Sequence, residues 1–210
     1  LARHCHCIIT SHPRLAARFP GSLLVPNGAD FDHFARPRAF RPLHHLARPI
    51  VGYHGMIGDW LDVPLLAEAA RARPDWSFVL VGPRQGFGWL PLARLDNVHL
   101  LDAVAYCGLP CLVQDFDVGC IPFRPGPLTA STDPVKLYEM LAAGRPVVAS
   151  GLEGNWEGVI TAAPGCPLAP VLEVALADAN PTRAQNFARE NTWDQRFESF
   201  YQAAFWSRQA

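Results

Sequence analysis

From residue 50 onward, short apolar runs alternate with segments whose apolar residues recur at helical spacing. The runs are apolar without interruption, which is typical of strands buried on both faces, and such strands form parallel sheets that helices cover on each side. Several runs stop at a glycine. The predicted strands are 49–55, 77–82, 97–101, 116–122 and 146–150, and the predicted helices are 62–73, 106–114 and 133–143.

This alternation predicts an α/β fold class, with a Rossmann-like parallel sheet and helices on both faces. Ligands of such sheets bind in a crevice beyond the carboxyl ends of the strands. Gly55, Gly82 and Gly151 lie at the ends of predicted strands and therefore at that edge of the sheet. For any one of these glycines alone, the chemistry of a turn is a sufficient explanation.

The two ends of the chain have a different pattern. Two short strands, 7–11 and 23–26, surround one helix, and a polar stretch rich in proline and arginine follows. Because the chain begins at Leu1 and not at methionine, we expect its natural N-terminus to lie upstream. The expected organisation is a remnant of an upstream domain at 1–34, a linker at 35–49, a complete Rossmann-like domain at 50–190 and a C-terminal helix at 191–210.

Residues 182–209 are predicted to be helical, and aromatic residues recur along them at spacings near three and four. An aromatic face of this width needs a partner surface, which is either the core of its own domain or the missing upstream domain. The aromatic residues are Trp193, Phe197, Phe200, Tyr201 and Phe205.

Composition narrows the class of protein. Half of the 210 residues are apolar, which is enough for a core, and a net charge of −1 gives no positive field to recruit nucleic acid. No apolar run approaches the ~20 residues that cross a bilayer. The His-Cys-His-Cys sequence at 4–7 would point its side chains to opposite faces of a strand, so we expect no metal. The six cysteines are expected to be free, mostly buried thiols in a reducing cytoplasm.

The most informative segment is 129–150, which contains a well-delimited helix. Asp133 is a favoured N-cap residue, and Pro134 suits the first helical position. Gly144 lies where a glycine commonly ends a helix, and Pro146 follows soon after it. The sequence therefore predicts a helix over 133–143 that Asp133 caps.

Hydroxyl and charged groups cluster at the start of this helix. Thr129, Ser131 and Thr132 lie just before it, and the free amides of a helix N-terminus attract anions such as a diphosphate. Lys136 adds a positive charge in the first turn. Glu139 follows three residues later on the same face, where a carboxylate can accept hydrogen bonds from ribose hydroxyls. On the residues alone, a solvated surface pair of Lys136 and Glu139 is an equal alternative.

The same segment resembles the signature region of family 4 (group 1) retaining glycosyltransferases of the GT-B fold, where a Glu-x7-Glu motif ends in a helix. The matching residues are Lys136, Leu137, Glu139, Leu141, Ala142, Gly144, Pro146, Val147 and Val148. Further blocks at 25–34, 50–62, 76–83 and 191–196 resemble the family in the same order, and those at 50–62 and 76–83 are similar to a subgroup of teichuronic-acid and exopolysaccharide transferases.

The resemblance implies transfer of a sugar, with retained configuration, from a nucleoside diphosphate sugar to a glycan or lipid-linked acceptor of the cell envelope. It implies the C-terminal donor-binding half of such an enzyme, with the N-terminal acceptor domain largely missing, no cofactor and no metal. The implied location is cytoplasmic, and peripheral contact with the inner face of the plasma membrane through the missing domain is left open. The implied catalytic residues are Lys136 and Glu139, and the implied donor-binding residues are Gly55, Gly82, Arg84, Thr129, Ser131, Thr132, Lys136 and Glu139.

The sequence departs from the family pattern at two places. Ser131 stands eight residues before Glu139, where the first motif glutamate is expected, which puts sugar recognition or turnover in question. After Gly55 the family often has an arginine and a lysine that hold the diphosphate, and neither is present at 56–60. The positive charge on the phosphates then rests on Lys136, with Arg84 as a second candidate or a solvated loop residue.

Two other functions stay open. A sugar-nucleotide epimerase of the same architecture needs acid and base groups in the cleft, for which His54 is the candidate, although a structural histidine is the simpler interpretation. The second alternative is a fragment that binds a nucleotide sugar without catalysis, because Ser131 stands in place of the motif glutamate. No Gly-x-Gly-x-x-Gly follows a strand, which argues against a dinucleotide-binding domain.

Overall fold

The computed structural model describes Cys5 and residues 7–206, and for residues 203–206 it describes the backbone alone. His4 and His6 of the cysteine–histidine sequence therefore lie outside the described residues, as do residues 207–210. No described helix is long and apolar enough to cross a membrane.

A six-stranded parallel sheet forms the centre of the molecule and confirms the predicted fold class. Its strand order is β5-β4-β3-β6-β7-β8. From β3, the strands β4 and β5 therefore lie on one side of the sheet, and β6, β7 and β8 lie on the other. The strands are β3 Ile50–His54, β4 Ser77–Val81, β5 Val98–Leu101, β6 Val118–Pro122, β7 Val147–Ser150 and β8 Val159–Ala162. The strand β8 was not predicted, because it is short and only partly buried.

Crossover connections distribute the helices over both faces of the sheet. The β3-α3-β4 and β6-α5-β7 units run in opposite directions across the sheet, and because such connections are right-handed, α3 and α5 lie on opposite faces. Packing agrees, since α3 packs with α6, whereas α5 packs with α7 and α2. The helices are α1 Pro13–Arg18, α2 Phe31–Ala35, α3 Val63–Ala72, α4 Leu109–Val113, α5 Val135–Ala142, α6 Leu168–Ala177, α7 Pro181–Arg189 and α8 Trp193–Trp206.

The predicted helix over 182–209 is two helices, α7 and α8. The break occurs because the backbone between them pairs with the N-terminal segment: the Ala29 amide donates to the Asn191 carbonyl at 3.1 Å, and the Trp193 amide donates to the Ala29 carbonyl at 3.2 Å. A Cβ on Gly28 would lie 2.7 Å from the Asn191 oxygen, so this close approach needs glycine. On α8, Trp193, Phe197, Phe200 and Tyr201 are exposed, and the side chain of Phe205 lies outside the described residues.

The short strands β1 Ile9–Thr10 and β2 Leu23–Leu24 surround α1, as predicted, and pair in parallel. The polar stretch after α2, residues 36–49, has no regular secondary structure, but a hydrogen bond and an ion pair hold it against the sheet. Its Leu43 amide donates to Asp115 at 2.8 Å, and Arg48 pairs with Asp117 at 2.5 Å. Because Asp115 and Asp117 immediately precede β6, this stretch is held at the amino ends of the strands, away from the edge where ligands of such sheets bind.

The expectation that most of the cysteines are buried was wrong. Only Cys120, in the centre of β6, is buried, and Cys111 is half-buried. The other four lie in loops, turns or the N-terminal segment, where an apolar side chain has no core to enter. They are Cys5, Cys7, Cys107 and Cys166, and all four are exposed.

Candidate functional site

A cavity of about 530 Å³ opens at the carboxyl ends of β3 and β6, beside the first turn of α5. These two strands flank the point where the strand order reverses, which is the place where parallel sheets of this kind bind ligands. The lining residues are His54, Gly55, Trp60, Phe123, Leu128, Thr129, Thr132, Pro134, Val135, Lys136 and Glu139.

Five of the residues predicted from the sequence line this cavity together: Gly55, Thr129, Thr132, Lys136 and Glu139. Three others do not line it, and they are Gly82, Arg84 and Ser131. The structure therefore brings two residues of α5, two threonines before it and one strand-end glycine together at one cavity.

Gly82 and Arg84 make other contacts. A Cβ on Gly82 would lie 2.2 Å from the Gly55 oxygen, so Gly82 permits the close packing of the two strand ends. The Arg84 guanidinium forms an ion pair with Asp102 and lies 5.4 Å from the centre of the Trp89 ring. The Arg84 guanidinium therefore contacts two residues, Asp102 and Trp89, that do not line the cavity.

The hydroxyls before α5 are used within their own loop. The Thr129 hydroxyl donates to the Arg124 carbonyl at 2.6 Å, and the Thr132 hydroxyl donates to the Leu128 carbonyl at 2.8 Å. The Ser131 amide donates to the Leu128 carbonyl at 3.2 Å, as part of a 3-10 turn over Thr129–Ser131. The two threonine hydroxyls therefore stabilise the conformation of the loop that lines the cavity.

The start of α5 offers amide donors beside the cavity. The first N–H groups of a helix have no acceptor within the helix, and Val135 and Lys136, the first two residues of α5, both line the cavity. Their partial positive charge adds to that of the Lys136 side chain.

Asp133 does not cap α5, contrary to the prediction. Pro134 occupies the N-cap position, and no side chain caps the helix. The buried Asp133 carboxylate instead accepts from the Asn27 amide at 2.6 Å and from the Tyr138 hydroxyl at 2.9 Å. Burial raises the pKa of Asp133, and these two donors act in the opposite direction. Asp133 therefore ties the N-terminal segment to α5.

The Lys136 side chain turns back over the end of β3. Its Nζ donates to the Tyr53 hydroxyl at 3.0 Å and lies 4.5 Å from the centre of the Tyr53 ring and 5.2 Å from that of Phe123. Burial lowers the pKa of Lys136 to about 8, with the Glu139 carboxylate acting in the opposite direction. A Cβ on Gly55 would lie 2.8 Å from Nζ, so glycine leaves room for the ammonium.

Sequence reasoning missed Tyr53, Phe123 and Trp60 as neighbours of the site. One signal in the sequence could have strengthened the choice of Lys136 itself: of the 18 lysine and arginine residues, Lys136 is the only lysine. Among the described residues that line the cavity, Lys136 is also the only lysine or arginine.

Glu139 is buried against His54 and is only 7 % exposed. Its Oε2 lies 3.6 Å from the His54 Nε2, which is longer than a hydrogen bond. Burial raises the pKa of Glu139 to about 7, whereas the Lys136 charge acts to lower it. This burial shows that the alternative of a solvated Lys136–Glu139 surface pair was wrong.

His54 is neutral at physiological pH. Burial lowers its pKa to about 3, and the positive charge of Lys136 contributes to the decrease. Its Nε2 is buried and has no hydrogen-bond partner among the described residues. His54 therefore forms no salt bridge with Glu139 at neutral pH, and it is a poor acid for the epimerase alternative.

The sequence of this chain matches the profile of the family described as "Glycosyl transferases group 1" over residues 48–180. The chain belongs to this family. The matched region contains the whole parallel sheet and every residue that lines the cavity.

One related protein is the Bacillus subtilis (strain 168) glycosyltransferase TuaH, assigned to teichuronic acid biosynthesis. It is 36 % identical over 106 residues, which cover 49 % of this chain and 27 % of TuaH. The match thus reaches only about a quarter of that relative's length. The full activity of a longer protein is therefore a matter of proposal.

Solved structures of glycosyltransferases share the fold. Anabaena Alr3699/HepE in complex with UDP and glucose is 19 % identical with a TM-score of 0.74, over 97 % of this chain and 63 % of HepE. AviGT4, from avilamycin A biosynthesis, is 15 % identical with a TM-score of 0.67, over 92 % of this chain and 61 % of AviGT4. The likeness confirms the Rossmann-like fold of the GT-B glycosyltransferases for this chain, which spans less than two thirds of either structure.

Proposed function

We propose that the chain is the donor-binding half of a glycosyltransferase. It binds a nucleoside diphosphate sugar and supports transfer of the sugar, with retained configuration, to a glycan or lipid-linked acceptor of the cell envelope. The observation that carries the proposal is the presence of one ammonium and one buried carboxyl group, three residues apart on α5, in a cavity at the reversal point of the sheet. Family membership and the relative assigned to teichuronic acid biosynthesis support the same function.

Lys136 and the α5 amides bind the diphosphate. No other lysine or arginine lines the cavity in the part of the chain that the structure describes, and the amides of Val135 and Lys136 add donors at the same helix terminus. During transfer, the bond between the sugar and the diphosphate breaks and negative charge accumulates on the leaving diphosphate. Fixed positive groups in a partly water-excluded cavity stabilise that charge, which lowers the barrier.

Glu139 binds the ribose. An ionised carboxylate can accept hydrogen bonds from both vicinal hydroxyls, and such charge-assisted bonds are stronger than neutral ones. The Glu139 carboxyl has no hydrogen bond to a described residue, and His54 Nε2 lies too far from it to donate one. Its acceptor capacity is therefore available to a ligand, and it carries a charge once its proton is lost above a pH of about 7.

The acceptor site belongs to a second domain, of which residues 1–34 are the C-terminal remnant. In this proposal the exposed aromatic residues of α8 provide the surface that this second domain covers. In this proposal the protein acts in the cytoplasm, and contact with the membrane, where it occurs, is made through that second domain.

Calorimetry with two ligands tests the two roles separately. We expect Lys136→Met to weaken both UDP and inorganic pyrophosphate by at least about tenfold, because it removes a charge-assisted contact to phosphate. We expect Glu139→Gln to weaken UDP about fivefold or more and to leave pyrophosphate unchanged, because pyrophosphate has no ribose. Arg183→Met serves as the control, since Arg183 pairs with Glu157 on the surface. Wild-type affinity for UDP in both site variants would refute the proposal.

Ser131 supports a second candidate, a protein that binds the nucleotide sugar without transferring it, because this residue stands where the family places its first glutamate. A longer protein that includes the acceptor domain distinguishes the two functions. Release of UDP from a UDP-sugar in the presence of membrane acceptors indicates a transferase, whereas tight donor binding with no release indicates a binding protein.

A further inference from the structure

We propose that Tyr53 is a positioning residue that orients the Lys136 ammonium toward the cavity and keeps it charged. This inference rests on the proposed role of Lys136 in binding the donor diphosphate. Tyr53 lies in β3, 83 positions before Lys136 in the sequence, and does not itself line the cavity.

Tyr53 is fixed in both position and hydrogen-bond direction. It is 1 % exposed within β3, and its hydroxyl donates to the Met56 carbonyl at 2.8 Å. Because the single hydroxyl proton is used there, the oxygen presents its lone pairs elsewhere, and the Lys136 Nζ lies 3.0 Å away as the donor. The Met56 carbonyl thus determines that Tyr53 is an acceptor for the ammonium.

The aromatic rings add a second contribution. Nζ lies 4.5 Å from the centre of the Tyr53 ring and 5.2 Å from that of Phe123, within the range of a cation–π interaction. The rings are rigid because both side chains are buried. The ammonium is therefore held by the Tyr53 hydroxyl oxygen and lies within cation–π range of the Phe123 ring.

A half-buried ammonium needs this support to stay charged. Burial alone favours the neutral amine and is the reason that the pKa of Lys136 is lowered to about 8. The groups that face Lys136 are Glu139 on its own helix and Tyr53 and His54 on β3, and His54 is neutral. Burial raises the pKa of Tyr53 above its usual value, so its hydroxyl keeps its proton and acts as a neutral acceptor.

The single lysine makes the proposal directly measurable. When the 210-residue chain is produced with 13C-labelled lysine, its one Cε signal reports the titration of Lys136 alone. We expect Tyr53→Phe, which keeps the ring and removes the hydroxyl, to lower the titration midpoint of Lys136 by about one pH unit. We expect Phe123→Leu to lower it by about half a unit, and this variant provides an independent test if Tyr53→Phe is poorly folded.

The affinity for UDP should decrease in parallel with the charged fraction of Lys136. With the midpoint lowered by one unit from about 8, the charged fraction of Lys136 falls roughly eightfold at pH 8.5 but less than twofold at pH 6.5. We therefore expect Tyr53→Phe to weaken UDP roughly eightfold at pH 8.5 and less than twofold at pH 6.5. Tyr138→Phe is the control, because Tyr138 is also buried but donates to Asp133 outside the cavity, and it should change neither quantity.

The outcomes separate this inference from the proposed function. If Lys136→Met abolishes UDP binding but Tyr53→Phe leaves both the Lys136 titration and the pH profile of UDP affinity unchanged, the role of Tyr53 is overturned and the donor site stands. If Lys136→Met leaves UDP binding intact, the donor site is wrong, and the inference that depends on it is overturned with it.

Discussion

Glu139 and His54 face each other at 3.6 Å, Oε2 to Nε2, in the wall of the cavity, yet they do not form a salt bridge at neutral pH. Burial lowers the pKa of the histidine to about 3 and raises that of the carboxyl group to about 7. The carboxyl group is therefore buried without a charged hydrogen-bonding partner, which is costly for folding and useful for binding a ligand that supplies hydroxyl donors.

Removing the Glu139 carboxyl group should stabilise the protein at alkaline pH. Between about pH 4.5 and 7 the unfolded state loses this proton while the folded state keeps it, so the free energy of unfolding falls as pH rises through that window. Above pH 7 the full cost is present. We expect Glu139→Gln to raise the free energy of unfolding by about 3 kcal/mol at pH 8 and to have little effect at pH 4.5.

Urea unfolding at the two pH values measures this effect. Glu157→Gln is the matched control, because Glu157 is exposed and paired with Arg183 on the surface, and it should show no such pH dependence. An equal effect of Glu139→Gln at both pH values would contradict the raised pKa.

The affinity for UDP should be highest near pH 7–8. Lys136 is charged below a pH of about 8, and Glu139 is ionised above a pH of about 7, so both groups have their binding form only in a narrow range. We expect affinity to fall several-fold by pH 9.5, where the amine is neutral, and also by pH 5.5, where the carboxyl group is protonated.

Calorimetry with UDP and with pyrophosphate across this pH range tests whether Lys136 causes the alkaline decrease in affinity and Glu139 the acidic one. The alkaline decrease should occur with both ligands. Because the phosphate groups of both ligands also take up a proton toward pH 5.5, the contribution of Glu139 is the part of the acidic decrease for UDP that Glu139→Gln removes, and this substitution should leave the pyrophosphate profile unchanged. An acidic decrease for UDP that is the same in the wild type and in Glu139→Gln would remove Glu139 from the ribose role.

Gly55 should be required for donor binding beyond its role in the backbone. It has φ +115°, and a Cβ would lie 2.8 Å from Lys136 Nζ, so Gly55→Ala strains the turn and displaces the ammonium. We expect a loss of about 1–2 kcal/mol in stability and at least a fivefold loss in UDP affinity. Gly165→Ala is the matched control, since Gly165 has φ +79° with nothing within 4 Å of the added Cβ, and it should reduce stability without changing UDP affinity.

Arg84 should contribute little to donor binding in this chain. Its guanidinium pairs with Asp102 and lies against Trp89, and it does not line the cavity. We expect Arg84→Met to change the dissociation constant for UDP by less than threefold, against at least tenfold for Lys136→Met. A tenfold effect of Arg84→Met in calorimetry would show that the side chain leaves Asp102 to reach the phosphates.

Elements that depend on local pattern were predictable. The strands β3 to β7 and the helices α3 and α5 follow from continuous apolar runs and helical spacing, because these patterns report the burial of neighbouring positions. Lys136 and Glu139 were placed on one face of one helix for the same reason, since residues three apart are neighbours on a helix surface. The edge strand β8 and the break between α7 and α8 were missed, because a weakly buried strand and a break caused by pairing with Ala29 leave no local periodicity.

The sequence by itself determined the family, the parallel sheet and the placement of Lys136 and Glu139 on one face of α5. Only the tertiary structure decided that Tyr53 and Phe123 surround the ammonium, that Asp133 binds Asn27 instead of capping its helix, and that the threonine hydroxyls are used within their loop. The physical reason is that periodicity is set by neighbours along the chain, whereas hydrogen-bond partners and pKa values are set by groups that only packing brings together.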